Sequence, residues 1–106
     1  MHVISQKAFK IAMVRYPVHR DAIIAAYKAL QRDDYATPEA LKKQFSTLDN
    51  FKYKHKWWVI DIAGNHLRLI AFIDFQTKRV YVKHIVSHAE YDKLCKRYAR
   101  GEEVKR

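Results

Sequence analysis

Apolar residues recur early in the chain at the spacing of one helical face. Phe9, Ala12, Met13 and Tyr16 fall at i, i+3, i+4 and i+7, which predicts a helix with one buried side. Ser5 stands where a hydroxyl can cap it, and Pro17 ends or interrupts it. Ile23, Ala26, Tyr27 and Leu30 repeat the spacing, so a second helix follows after a short connection and closes a helical hairpin. Met1 to Ile4 reads as a short strand ahead of the pair. Thr37-Pro38-Glu39 starts a connecting helix of about two turns, with a threonine cap, proline in the first turn and acid behind it.

From Phe51 the period changes. Trp57 to Ala63, Leu67 to Phe75 and Val80 to Val86 are rich in β-branched and aromatic residues, and turn-forming Gly64-Asn65 and Gln76 to Arg79 divide them. They predict a three-stranded antiparallel meander. Ser87-His88-Ala89-Glu90 then fits a capping box, in which the serine satisfies a first-turn amide and the glutamate reaches back to the cap. A last helix runs to about Tyr98. The order predicts an α+β domain over residues 1–98, with the helices packed on one face of the sheet and the other face free. Residues 99–106 form a polar tail expected to fray.

Charge narrows the partners. The 106 residues suit one domain; 21 lysines and arginines against 11 acids give a formal charge of +10, beside an ordinary hydrophobic share of 49%. A folded, strongly basic protein attracts polyanions and gains from counterion release on nucleic acid. No apolar run approaches the roughly 20 residues that span a bilayer, and the first residues carry no signal-like stretch, so a cytoplasmic protein without membrane association is expected. Cys95 is the single cysteine, which excludes an internal disulfide and a cysteine-based zinc finger.

A register count gives the chemistry a location. With Gln76 to Arg79 as a four-residue loop, Phe75 opposes Val80, Phe72 opposes Lys83, Ile70 opposes Ile85 and Arg68 opposes Ser87. Arg68 then lies beside the start of the last helix, where free amides and the helix dipole favour phosphate, and His88 adds a titratable imidazole. A two-residue turn at Gly64-Asn65 also sets Asp61 opposite Arg68, so a cross-strand ion pair accounts for the arginine equally well. His88 has a plain reading as a solvated first-turn residue, and Tyr91, three residues on and on the same helix face, as a core tyrosine. Glu90 is assigned to the capping box.

The run Phe51-Lys52-Tyr53-Lys54-His55-Lys56-Trp57-Trp58 interleaves lysines with rings, offering cations to phosphates and π-faces to unpaired bases. Consecutive strand residues face opposite ways, so Trp57 and Trp58 are individually better read as packing residues, and Lys52 and Lys54 as contacts. His2, His19, His55, His66 and His84 show no metal-ligand spacing, and no Ser-His-Asp or Cys-His order is identifiable. No metal and no covalent nucleophile are expected.

Gly64-Asn65-His66-Leu67-Arg68-Leu69-Ile70, followed by Tyr81-Val82-Lys83-His84-Ile85-Val86-Ser87-His88-Ala89-Glu90-Tyr91-Asp92, resembles the signature of HigB-type toxins in the RelE-like superfamily. Leu48-Asp49-Asn50-Phe51-Lys52-Tyr53, the opening Met1 to Ser5 and the helical hairpin extend the resemblance over nearly the whole chain. It implies a RelE-like fold and the toxin of a type II toxin-antitoxin pair. Such a toxin is an endoribonuclease that cuts mRNA in the decoding site of the 70S ribosome and is silenced by a helix-turn-helix HigA-type antitoxin. It also implies catalytic roles for Arg68, His88 and Tyr91 and RNA contacts at Lys52, Lys54 and Asn65, to which His55 and Lys83 are added. Ser87 stands where the family usually has threonine, and keeps the hydroxyl.

The expected reaction is metal-independent: a base takes the ribose 2′-hydroxyl proton, the oxygen attacks the adjacent phosphate, and an acid protonates the leaving 5′-oxygen. His88 ranks first among the histidines as base, ahead of His55 and His84. Two other functions fit the same composition: a ParE-like inhibitor of DNA gyrase that cuts no RNA, and a basic RNA-binding module without catalysis.

Overall fold

In the computed structural model, which describes residues 1–102, the elements follow in the order β1 (His2–Ile4), α1 (Lys7–Arg15), a single 3-10 turn (Pro17–His19), α2 (Arg20–Arg32), α3 (Pro38–Gln44), β2 (Asp49–Asn50), β3 (Trp57–Ile62), β4 (Leu67–Asp74), β5 (Arg79–Ser87) and α4 (His88–Ala99). The strands form one sheet in the order β1-β5-β4-β3-β2. The predicted meander is its centre. β1 adds to β5 in parallel, and the two-residue β2, which carries no strand pattern of its own, pairs antiparallel with β3.

Alternation on β4 decides where the core lies. Leu67, Leu69, Ala71 and Ile73 face one side with Val80, Val82 and Ile85 of β5, and bury against Phe9 and Ala12 of α1 and Ile23 and Leu30 of α2. Full burial of each large aliphatic side chain there contributes roughly 1.5–3 kcal/mol. The α+β class stands, but α4 departs from the expected one-sided packing. Its Tyr98 buries with Phe51, Val59 and Ile70 on the opposite face, flanked by Tyr91, Leu94 and Cys95. That helix carries an apolar stripe of its own, and the residues between the core positions of β3 and β4 supply the matching surface. The second face is therefore partly covered.

The β3–β4 turn closes as the sequence predicts. His66 N–H donates to the Ala63 carbonyl at 3.2 Å around Gly64, whose φ of 68° suits a residue without a side chain. Asp61 consequently pairs with Arg68. The β4–β5 register differs from the count. Asp74, not Phe75, is the last residue of β4: its carboxylate accepts the amides of Gln76 and Thr77 at 3.0 and 3.3 Å and opens the loop one residue early. Asp74 pairs with Arg79, Ile73 with Val80 and Phe72 with Tyr81. A bulge then intervenes, because Ala71 pairs with Val82 but Ile70 with His84. Lys83 is the extra residue. Beyond it Arg68 pairs with Val86 and Leu67 with Ser87, so Arg68 still reaches the start of α4.

Of the expected polar tail, Ala99 belongs to α4 and residues 100–102 form the turn that closes it. Gly101, at φ 75°, donates to the Tyr98 carbonyl and Glu102 to that of Arg97, the paired bonds that close a helix around a left-handed glycine. Residues 103–106 lie outside the described residues. No helix among those described is long and apolar enough to cross a membrane.

Candidate functional site

Three elements meet where β5 turns into α4. Ser87 caps α4 by accepting the Glu90 amide at 3.3 Å. The other half of the predicted box is replaced. The Ser87 amide donates to the Tyr16 hydroxyl at 3.1 Å, and that hydroxyl donates to Glu90 Oε1 at 2.9 Å. Arg15 holds the same carboxylate at 2.5 Å. Glu90 thus clamps the end of α1 to the first turn of α4, and no bond returns from its side chain to the cap. Burial alone would raise its pKa, but the hydrogen bonds from Arg15 and Tyr16 outweigh that and hold it below its ordinary value.

Arg68 occupies the centre of the corner. The cross-strand ion pair forms, with one guanidinium nitrogen bonding Asp61 across the β3–β4 ladder, and Nη2 lies 2.9 Å from His88 Nδ1. The fork also sits over the Tyr91 ring, 5.4 Å from its centroid. Arg68 Nε is buried and has no hydrogen-bond partner among the described residues. Arginine can only donate, so His88 Nδ1 accepts from it and the ring proton belongs on Nε2. Nε2 faces solvent, 3.8 Å from Asp92. Burial first, and then the neighbouring Cys95 thiol, push the Tyr91 phenol up to about 12.

The three residues expected to be catalytic, Arg68, His88 and Tyr91, are thus brought together. The expected RNA contacts divide. Asn65 lies in the exposed β3–β4 turn, three residues before Arg68. Lys52 and Lys54 belong to the loop before β3, which runs along the flank of α4: Lys52 Nζ lies 5.2 Å from the Tyr53 ring and Lys54 Nζ 5.7 Å from that of Tyr98. Lys83, at the bulge, reaches the rings of Trp57 and Tyr81. His55 is elsewhere, lining a cleft with Asn50, Trp58, Asp74 and Gln76 at the other end of β4. His84 is buried, its Nε2 2.8 Å from the Tyr98 hydroxyl, so it packs inside and does not compete with His88 for substrate. Among the described residues no three His, Cys, Asp or Glu side chains gather as metal ligands would.

Sequence reasoning missed Tyr16 and Arg15. Tyr16 reads as the last apolar position of α1, and nothing local marks its hydroxyl as the partner of a backbone amide 71 residues away.

The corner can therefore bind a phosphate through Arg68 and the α4 N-terminus, present a histidine to a neighbouring hydroxyl, and keep a protonated phenol beside both. Comparison with known proteins identifies the family. Residues 19–94 match the family HigB_toxin, described as the RelE-like toxic component of a toxin-antitoxin system. The chain is 46% identical over 103 residues to "mRNA interferase HigB" of Escherichia coli O6:H1, covering 97% of this chain and all of that relative. It is 39% identical over 92 residues to "mRNA interferase toxin HigB" of Escherichia coli K12, covering 87% and 88% of the two chains, and matches the Shigella flexneri "mRNA interferase HigB" to the same extent. With its fold compatible and its relatives matched over nearly their full length, this chain belongs to the HigB toxin family, the RelE-like toxic components of toxin-antitoxin systems.

Proposed function

We propose that this protein is an mRNA interferase, an endoribonuclease that arrests growth by cutting translated mRNA on the ribosome, and that a HigA-type antitoxin neutralises it. The names carried by its relatives support the activity. The observation that carries the site is Arg68 Nη2 at 2.9 Å from His88 Nδ1, at a capped helix N-terminus.

In the proposed reaction, a phosphate oxygen arriving at Arg68 competes with His88 for the same N–H. Once displaced, His88 keeps its Nε2 proton and exposes the Nδ1 lone pair, which takes the proton of the ribose 2′-hydroxyl. The 2′-oxygen attacks the adjacent phosphorus, the bond to the 5′-oxygen breaks, and a 2′,3′-cyclic phosphate and a 5′-hydroxyl result. Arg68 and the helix amides stabilise the charge that builds on the phosphate. Tyr91, held protonated, orients or donates a proton; Asp61 holds the guanidinium in place.

Induction of the wild type should give cleavage of translated messages. Arg68→Ala and His88→Ala should each abolish it in protein that still melts cooperatively. Intact cleavage in both would overturn the assignment, and arrested DNA replication with intact messages would favour gyrase inhibition instead.

A further inference from the structure

The second face of the sheet carries more aromatic surface than α4 covers. Trp57 pairs directly with Phe72 across β3–β4, and Phe72 with Tyr81 across β4–β5. The three form a row on adjacent strands, all partly exposed, with Phe72 and Tyr81 ring centroids 5.6 Å apart. Lys83, on the same side as Tyr81 by strand alternation, lies 5.8 Å from the Trp57 ring and 5.9 Å from that of Tyr81.

The row connects to the catalytic corner. Arg68 lies over Tyr91, Tyr91 packs on Phe51 at 6.3 Å, Phe51 on Trp57 at 5.9 Å, and Trp57 meets Lys83. Lys52 over Tyr53 and Lys54 over Tyr98 flank this path. Arg68, Lys52, Lys54 and Lys83 thus set four cations on rings of one face. Phe72 and Tyr81 belong to neither buried cluster, whereas Trp57 packs against the smaller one.

We propose that Trp57, Phe72, Tyr81 and Lys83 form a second RNA subsite, which stacks unpaired bases of the strand whose phosphate is held at Arg68. Aromatic residues on a sheet are a recurrent way to stack two or three bases of single-stranded RNA. Phe72 is four residues along β4 from Arg68, about 13 Å at strand rise and about four nucleotides at a stacked spacing of about 3.4 Å. The subsite therefore engages strands several nucleotides longer than the scissile step and excludes duplexes, whose ring faces are already stacked.

The proposal rests on the RNA-cleaving reading, and uncleavable RNA separates the two. A 2′-O-methyl oligouridylate of nine nucleotides should bind the wild type more tightly than one of three. Phe72→Leu and Tyr81→Leu should each weaken the nine-mer by about fivefold or more, the effect of one lost base stack, and change the three-mer less than twofold. An unaltered preference for length in folded variants overturns the subsite, as does equal affinity for a duplex of the same length. Should the leucine variants fail to fold, Trp58→Phe leaves Trp57 as the sole tryptophan. Its emission should be quenched by the nine-mer and not the three-mer, and absence of that difference is equally fatal. Length-dependent binding by a wild type that cuts no translated message would defeat the enzymatic reading alone.

Discussion

The Tyr16 hydroxyl accepts the amide of Ser87 and donates to the carboxylate of Glu90, so one phenol ties the end of α1 to both the cap and the first turn of α4. His88, one of the two residues between Ser87 and Glu90, lies beside Arg68 within this anchored turn.

Tyr16→Phe keeps the ring and removes the anchor, leaving a part-buried amide unpaired. A loss of about 1–3 kcal/mol is expected, with slower RNA cleavage as α4 loosens. Chemical denaturation measures the first; a change under about 0.5 kcal/mol would show that solvent replaces the phenol without cost.

Glu90 makes stability depend on acid. Its folded pKa is depressed, so its contribution is present above the unfolded value near about 4.3 and is lost as pH falls through the folded one. Glu90→Gln should therefore be less stable than wild type at neutral pH, and the gap should close in strong acid. Melting curves across that range test the sign, and a constant gap would contradict it.

Arg68→Ala should lower the cleavage rate constant by about 100-fold or more, the usual consequence of losing a charged donor to a developing anion. Arg68→Lys should recover little. Its single ammonium cannot span Asp61, His88 and a phosphate together as the planar fork does. A lysine variant with near wild-type single-turnover rates would reduce Arg68 to simple charge.

Tyr91, pushed up to about 12, stays protonated through the range in which cleavage can be measured. Tyr91→Phe should lower the rate and leave the shape of its pH profile below about 9 unchanged. Disappearance of a basic limb in that variant would show instead that the phenol titrates during turnover.

Much of this was readable in advance where the chemistry is local. The glycine turn at Gly64 led to the Asp61–Arg68 pair, and Ser87 announced the start of α4. The β4–β5 count failed because Asp74 caps its own loop and Lys83 adds a residue to one strand, events that alternation of apolar and polar positions does not encode. Glu90 matched a capping box, yet its partners are Arg15 and Tyr16, which no local pattern links to it. The order of elements put every helix on one face of the sheet, whereas the apolar residues of α4 bury on the other, and the long-range partners of Tyr16 and His84 were equally invisible to local pattern.

The first strand lies beside the last, and the corner joins Tyr16 to Ser87 across most of the chain. Such distant pairings wait on the synthesis of their later partner. A nascent chain carrying α1, α2 and even Arg68 still lacks the strand and helix that present His88. A protein whose proposed target is the translating ribosome thus has its weapon withheld until its own α4 has been made.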